Sequence, residues 1–245
     1  MHTKQLYPLT LLLLFIAVII FGDVIFRGDT SMLNVATPPQ KQISRYIKIS
    51  PYDHHFRNVA DCLGWDWKLL AAIAFTESRF DSTATSGVGA QGVMQVMPST
   101  MNRLGIPDSL QMDTRTNIEA AGMLLADLDH LYRRIKNFDE RCNFILASYN
   151  AGLGHVGDAM NLAQKYGRPR YVWHNNVDSF LILKGLPEYY NDSVCRNGSF
   201  NDWKQTLSFV KKVKRTWVRY KREQQRYSDS IKTVLAADSS IILRD

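Results

Sequence analysis

The sequence predicts an all-alpha domain, mainly helical with room for a minor hairpin. Apolar residues recur at helical spacing, as in Leu69, Leu70 and Ile73, and again in Ala121, Leu124, Leu125, Leu128 and Leu131. No run of alternating apolar and polar residues stands out as a strand. Residues that start and stop helices fall between the periodic runs: Asp66 and Asp202 near starts, Gly152 and Gly154 after an end, and Pro98 best placed in a first turn.

The elements follow in order. Leu9 to Phe21 is apolar except for Thr10, and the run continues past Gly22-Asp23 as Val24-Ile25-Phe26, with Lys4 before it and Arg27 after it. The uninterrupted part is short for a span of about 20 residues, whereas the extended run is long enough. Residues 1–28 are therefore read as a membrane anchor or a secretory signal. No small-x-small cleavage pattern follows the run, which favours the anchor, and no Cys follows it to carry a lipid. Either reading takes the rest of the chain across a membrane, and Lys4 agrees with an N-in, C-out orientation. Residues 29–45, with Pro38-Pro39 and little periodicity, read as a linker. A domain is expected over 46–228 and a tail over 229–245.

Within the domain, helices are expected from Tyr52 to Cys62 and from Trp65 to Phe80, with a loop from Asp81 to Gln91. Gly92 to Leu104 reads as a helix or a broken helix, because Pro98 starts a new element. Asp113 to Asn117 leads into a long helix from Ile118 to Lys136. Further helices are expected over Asp139–Asn150, Val156–Tyr166 and Trp173–Leu183, then an irregular stretch from Gly185 to Asn201. The last helix runs from Asp202 to about Gln225, and the segment from Tyr227 onward reads as helix plus a loose end.

The net charge of +7 raises the question of nucleic acid. Much of the excess lies in Lys211-Lys212, Lys214-Arg215, Arg219 and Lys221-Arg222, interleaved with Val210, Val213, Trp217 and Tyr220. That spacing describes one amphipathic helix with a solvated basic face, and no nucleic-acid partner is expected. Gly87-Val88-Gly89-Ala90-Gln91-Gly92 lacks the preceding strand and following Lys of a phosphate-binding loop. Cys62, Cys142 and Cys195 do not have zinc-site spacing. An exported location permits a disulfide. A Cys62–Cys142 bridge would close a loop of about 80 residues, worth roughly 4 kcal/mol, but the sequence does not specify which pair forms, if any. No metal or cofactor is expected.

The chemistry points to Glu77. Leu69, Ile73 and Glu77 are four apart and share one helical face. An acid on a buried edge is costly unless its site has a use for it, which makes Glu77 a candidate raised-pKa catalytic acid. The competing reading is a last-turn glutamate facing solvent. Gln95, between Met94 and Val96, and Tyr149-Asn150, before Gly152, place directional hydrogen-bonding groups beside glycine backbone, as a saccharide groove requires. Their structural alternatives are a turn cap for Gln95 and a helix C-cap for Asn150. A glycosidase normally needs two carboxylates, and no residue stands out as the partner of Glu77. Asp81 begins a loop, and His54, His55 and His155 have no obvious partners.

Glu77-Ser78-Arg79-Phe80, then Gly89 to Thr100 including Met94-Gln95-Val96-Met97-Pro98, then Asn117-Ile118-Glu119-Ala120-Ala121, then Ala147-Ser148-Tyr149-Asn150-Ala151-Gly152, are similar to the signature blocks of soluble-lytic-transglycosylase-type murein lyases. They stand in the family's order and cover about residues 50 to 180. The later part, with Gly167-Arg168-Pro169, Trp173 and Leu186-Pro187-Glu188-Tyr189-Tyr190, resembles the catalytic module of the membrane-bound lytic transglycosylase F subgroup, without the solute-binding domain that precedes it in full-length members. Ser148 stands where the family often has Ala.

The resemblance implies a goose-lysozyme-like transglycosylase fold whose groove holds peptidoglycan glycan strands. It implies Glu77 as sole acid and base, cleaving between N-acetylmuramic acid and N-acetylglucosamine to leave 1,6-anhydromuramyl ends. Ser78 and Gln95 would contact the sugar, Met94 would pack against it, Tyr149 would hold Glu77 and Asn150 would shape the groove. Together with the apolar N-terminal run, this places the chain at the periplasmic face of the cell envelope, anchored in the inner membrane or, if that segment is cleaved, released to the periplasm; a monomer is expected. The alternatives are a goose-type lysozyme using Asp81 or Asp113 to bind the attacking water, and a non-catalytic wall-binding protein.

Overall fold

In the computed structural model the described residues are 41–238 and 241–244. The chain divides into units Met1–Lys41 and Gln42–Asp245, the second of which contains the helices described below. The expected anchor, residues 1–28, lies outside the described residues, as does the linker up to residue 40. Among the described residues no helix is long and apolar enough to cross a membrane.

The described elements are β1 (Lys41–Ser44), α1 (Asp53–Leu63), α2 (Trp67–Ser78), α3 (Pro98–Arg103), a 3-10 turn (Asp108–Leu110), α4 (Thr114–Leu131), α5 (Phe138–Ala151), α6 (Leu153–Lys165), a π-type turn (Trp173–Val177), α7 (Asp178–Leu183), α8 (Pro187–Tyr190), α9 (Trp203–Ala237) and β2 (Ile241–Arg244). The class is the expected one, helical with one two-stranded pair, β1 beside β2.

Two helices have middle stretches that are apolar all round, and these form the centre. In α2, Leu69 to Ala74 are fully buried, and in α5 so are Phe144 to Ala147. A helix buried on every side needs neighbours on every side. Helix α1 packs on α2 and α4, α4 on α5, α5 on α6, and α9 lies across both α2 and α5. The ends of the central helices are fixed by side chains. Asp66 caps α2 through the Lys68 amide at 3.1 Å and also accepts the Trp217 indole N–H of α9 at 2.9 Å. Asn137 caps α5 through the Glu140 amide at 3.0 Å.

Helix α9 is the amphipathic helix expected from the basic segment. Val210, Val213, Trp217 and Tyr220 are buried, while Lys211, Lys212, Arg215 and Arg222 are exposed. It runs on to Ala237, well past Gln225, because Ile231 still buries a side chain there. Helix α4 starts and stops earlier than the periodicity suggested. Its last residue, Leu131, is 48% exposed although it follows the core spacing, because Tyr132 and Ile135 fold over the helix end and take the core positions instead. The expected helix over Trp173–Leu183 is broken where Asn175 adopts φ 57°.

The segment after α8 is fastened by a buried ion pair. Lys184 is fully buried and donates to Asp158 of α6, which also accepts the amides of Arg196 at 3.1 Å and Asn197 at 2.9 Å. All three cysteines are free, Cys142 buried in α5 and Cys62 exposed on α1.

Candidate active site

The site is built where α2 ends. Thr76 and Ser78 return their hydroxyls to the backbone of their own helix at Ala72 and Ala74. Ser78 also donates to the Val93 carbonyl at 2.8 Å, tying the end of α2 to the following loop. Immediately beyond, Arg79 and Phe80 take φ values of 55° and 69°, the left-handed region that non-glycine residues avoid. Each such residue costs on the order of 1 kcal/mol or more and persists only where its surroundings over-determine it. Here Phe80 is held by the rings of Phe56 and Phe75, at 6.2 and 5.7 Å.

Glu77 lies between these fixed points. No hydrogen bond or ion pair to its carboxyl group forms among the described residues, and burial pushes its pKa up to about 8. It is thus a protonated acid at neutral pH. Asp81 and Asp113 behave in the opposite way. Asp81 accepts the Thr83 amide at 2.8 Å and its hydroxyl at 2.7 Å, and these bonds hold it below the usual carboxylate range. Asp113 caps α4 through the same pair of bonds from Thr116, with the same result. Both candidate partners for a second carboxylate are therefore committed to local backbone structure.

The loop from Ala84 to Met97 is folded onto itself. Gln91 and Val96 exchange backbone hydrogen bonds at 3.0 Å, and the Gly92 amide reaches Ala84 at 2.9 Å. Gln95 sits at the turn with φ 51°, and its side-chain N–H groups donate to Gly92 O at 2.9 Å and Ala84 O at 3.1 Å. The structural role foreseen for it is realised, and its Oε1 accepts no bond among the described residues. Met94, expected to pack against a sugar, is fully buried: its side chain fills the core and its backbone faces the site.

Asn117, the first residue of the third signature block but not singled out by sequence reasoning, organises this loop. It is fully buried, accepts the Met94 amide at 2.8 Å and donates to Gln91 O at 2.9 Å. Its side chain lies against Gly92, where a Cβ would come within 2.7 Å of it; with φ 72°, that position admits only glycine without strain. Its position near the start of α4, and the loop glycine facing it, were the available signals, but a polar residue in a first turn ordinarily reads as solvated.

Tyr149 closes the far side. Its hydroxyl donates to the Met94 carbonyl at 2.7 Å, and Glu77 lies near enough for its charge to act on the phenol. Burial first, and the neighbouring Glu77 charge second, raise the phenol well above its ordinary pKa, so it remains a donor beside the acid. Its ring stacks on Phe209 of α9 at 6.5 Å, and Asn150 Oδ1 accepts the Thr206 hydroxyl at 2.8 Å. Ser78 and Tyr149 are thus tied to the successive Val93 and Met94 carbonyls beside Glu77, while Asn150 is turned toward α9.

A family model described as the transglycosylase SLT domain matches residues 55–172. The membrane-bound lytic murein transglycosylase F of Desulfosudis oleivorans is 34% identical over 148 residues, covering 60% of this chain and 32% of that protein. That of Thiobacillus denitrificans is 40% identical over 164 residues, covering 66% and 33%. That of Stutzerimonas stutzeri is 34% identical over 203 residues, covering 81% and 39%. This chain spans about a third of the length of these curated relatives. The 70 kDa soluble lytic transglycosylase of Escherichia coli aligns at 24% identity and a TM-score of 0.47 over 70% of this chain and 24% of that one, a likeness too partial to bear on function.

Proposed function

Since this chain belongs to the transglycosylase SLT family, we propose that it is a peptidoglycan lytic transglycosylase with Glu77 as its single acid and base. The observation that carries this reading is the unpartnered Glu77 carboxyl, held protonated by burial at the end of a strained α2 terminus. The protonated carboxyl gives its proton to the oxygen linking N-acetylmuramic acid to N-acetylglucosamine, and the glycosidic bond breaks. The substrate's own N-acetyl group supports the positive charge that develops at C1. The Glu77 carboxylate then removes the proton of the muramyl C6 hydroxyl, whose oxygen bonds to C1. The acid is regenerated, no water is consumed, and the product ends as a 1,6-anhydro sugar.

In this reading Ser78, Tyr149 and Asn117 hold the acid's surroundings, and Gln95 Oε1 offers an acceptor to the sugar's acetamido N–H. The commitment of Asp81 and Asp113 to local turns disfavours the hydrolytic alternative, which needs a carboxylate free to bind water. We place the enzyme at the periplasmic face of the cell envelope, tethered through residues 1–28 and acting as a monomer on glycan strands. The test is Glu77→Gln on purified murein. The variant is expected to bind strands and leave them uncut; cleavage at the wild-type rate would remove Glu77 from the mechanism, and strand binding without cleavage by the wild type would make the protein a binding module.

A further inference from the structure

The end of helix α4 and the turn after it, helix α6 and the segment following it line an open cavity of about 350 Å³. It is joined to the site through the end of α5. Tyr132, one of its walls, shares a 2.6 Å hydrogen bond with Ser148, the residue before Tyr149, and Leu153, another wall, begins α6 just after Asn150-Ala151-Gly152.

The cavity combines two properties. It is apolar at its rim, where Leu131 and Leu153 are 48% and 46% exposed and Tyr171 is also exposed. It is also rich in donors and has no carboxylate in its lining. Arg133 places one N–H on His130 O, and Arg134 is exposed and forms no hydrogen bond or ion pair among the described residues. Arg170 reaches Gln164 and Asn161 with its terminal nitrogens, while its buried Nε has no partner. Helix α6 opens on this cavity with Gly152 as its N-cap, no capping side chain and no acid in its first turn. Its first-turn amides add partial positive charge.

A neutral sugar has no need of three guanidinium groups, and an isolated inorganic anion has no need of the leucines. Planar guanidinium groups suit a carboxylate, and a small apolar side chain beside that carboxylate would cover Leu131, Leu153 and Tyr171. We propose that this cavity binds the carboxylate end of the peptide stem carried by the muramyl sugars, making the enzyme selective for peptide-bearing strands over bare ones. This rests on the murein-cleaving reading above.

The test uses the full chain in detergent and, as probe, an alanine-terminated tetrapeptide stem released from murein, titrated calorimetrically beside its C-terminal amide and inorganic phosphate. The acid form is expected to bind. The amide, and the Arg134→Glu and Leu153→Asp variants at exposed positions, are each expected to weaken binding about tenfold or more. Arg134→Glu should slow cleavage of stem-bearing strands and leave amidase-stripped strands cut at the wild-type rate. The proposal is overturned if the wild type ignores the peptide, if phosphate binds as well, or if Arg134→Glu binds the peptide unchanged. Failure of the wild type to cut either kind of strand would strike the murein-cleaving reading alone, since peptide binding is measured independently of it.

Discussion

Replacing Glu77 by Gln is expected to stabilise the fold while abolishing cleavage. In the unfolded chain a glutamate titrates near 4.5, and in the fold burial raises Glu77 to about 8. A group whose folded pKa is raised contributes its full share of stability below the unfolded value and loses it as pH rises through the folded value. Between about pH 4.5 and 8 the folded state therefore binds more protons, and stability falls with rising pH. At pH 7 the gap of about 2.5 units above the unfolded value corresponds to a ceiling of roughly 3 kcal/mol. Glu77 is only partly enclosed, so screening by solvent reduces this to about 1–2 kcal/mol. Glutamine has no charge to bury, so the variant is spared that cost. For a chain of this size the gain is a rise in Tm of about 2–8 °C at pH 7. Thermal melts of both proteins from pH 4 to pH 9 read it directly: the curves should lie together near pH 4 and separate steadily toward pH 8. Equal melting temperatures across the range, or a wild type that gains on the variant as pH rises, would refute the claim that Glu77 is held in a desolvated site.

Other consequences concern what holds the acid. Asn117→Ala strands the buried Met94 amide and Gln91 carbonyl, and should cost about 2–4 kcal/mol in urea unfolding while lowering kcat. Tyr149→Phe keeps the ring stacking on Phe209 but frees the Met94 carbonyl; about 1 kcal/mol of stability and a drop in kcat with KM nearly unchanged are expected. Lys184→Met leaves the Asp158 carboxylate without its cation in the interior and should cost about 3–5 kcal/mol, read by denaturant unfolding. The pH profile of kcat/KM should fall above about pH 8 as free Glu77 loses its proton, and a fall centred near 4–5 would contradict it.

The helical class was legible because the central helices carry their signal redundantly: Leu69 to Ala74 and Phe144 to Ala147 are apolar enough to force burial whatever surrounds them. Glu77 was legible for the same reason, as an acid at the edge of such a run. What escaped depends on contacts between distant segments. Asn117 looks like any polar residue in a first turn, and only the loop folded over it, with Gly92 against its side chain, makes it buried. Met94 reads equally well as groove or core. Leu131 has the right spacing, but Tyr132 and Ile135, just past the helix end, displace it outward. The strands Lys41–Ser44 and Ile241–Arg244 are too short to show alternation.

Digestion of purified murein in ¹⁸O-enriched water, with the new glycan ends weighed, tests the central claim most directly. One-acid chemistry at Glu77 predicts anhydromuramyl ends free of label and about 20 Da lighter than ends hydrolysed by the enriched water. Reducing ends that carry ¹⁸O would show that water attacks the sugar, and would contradict it.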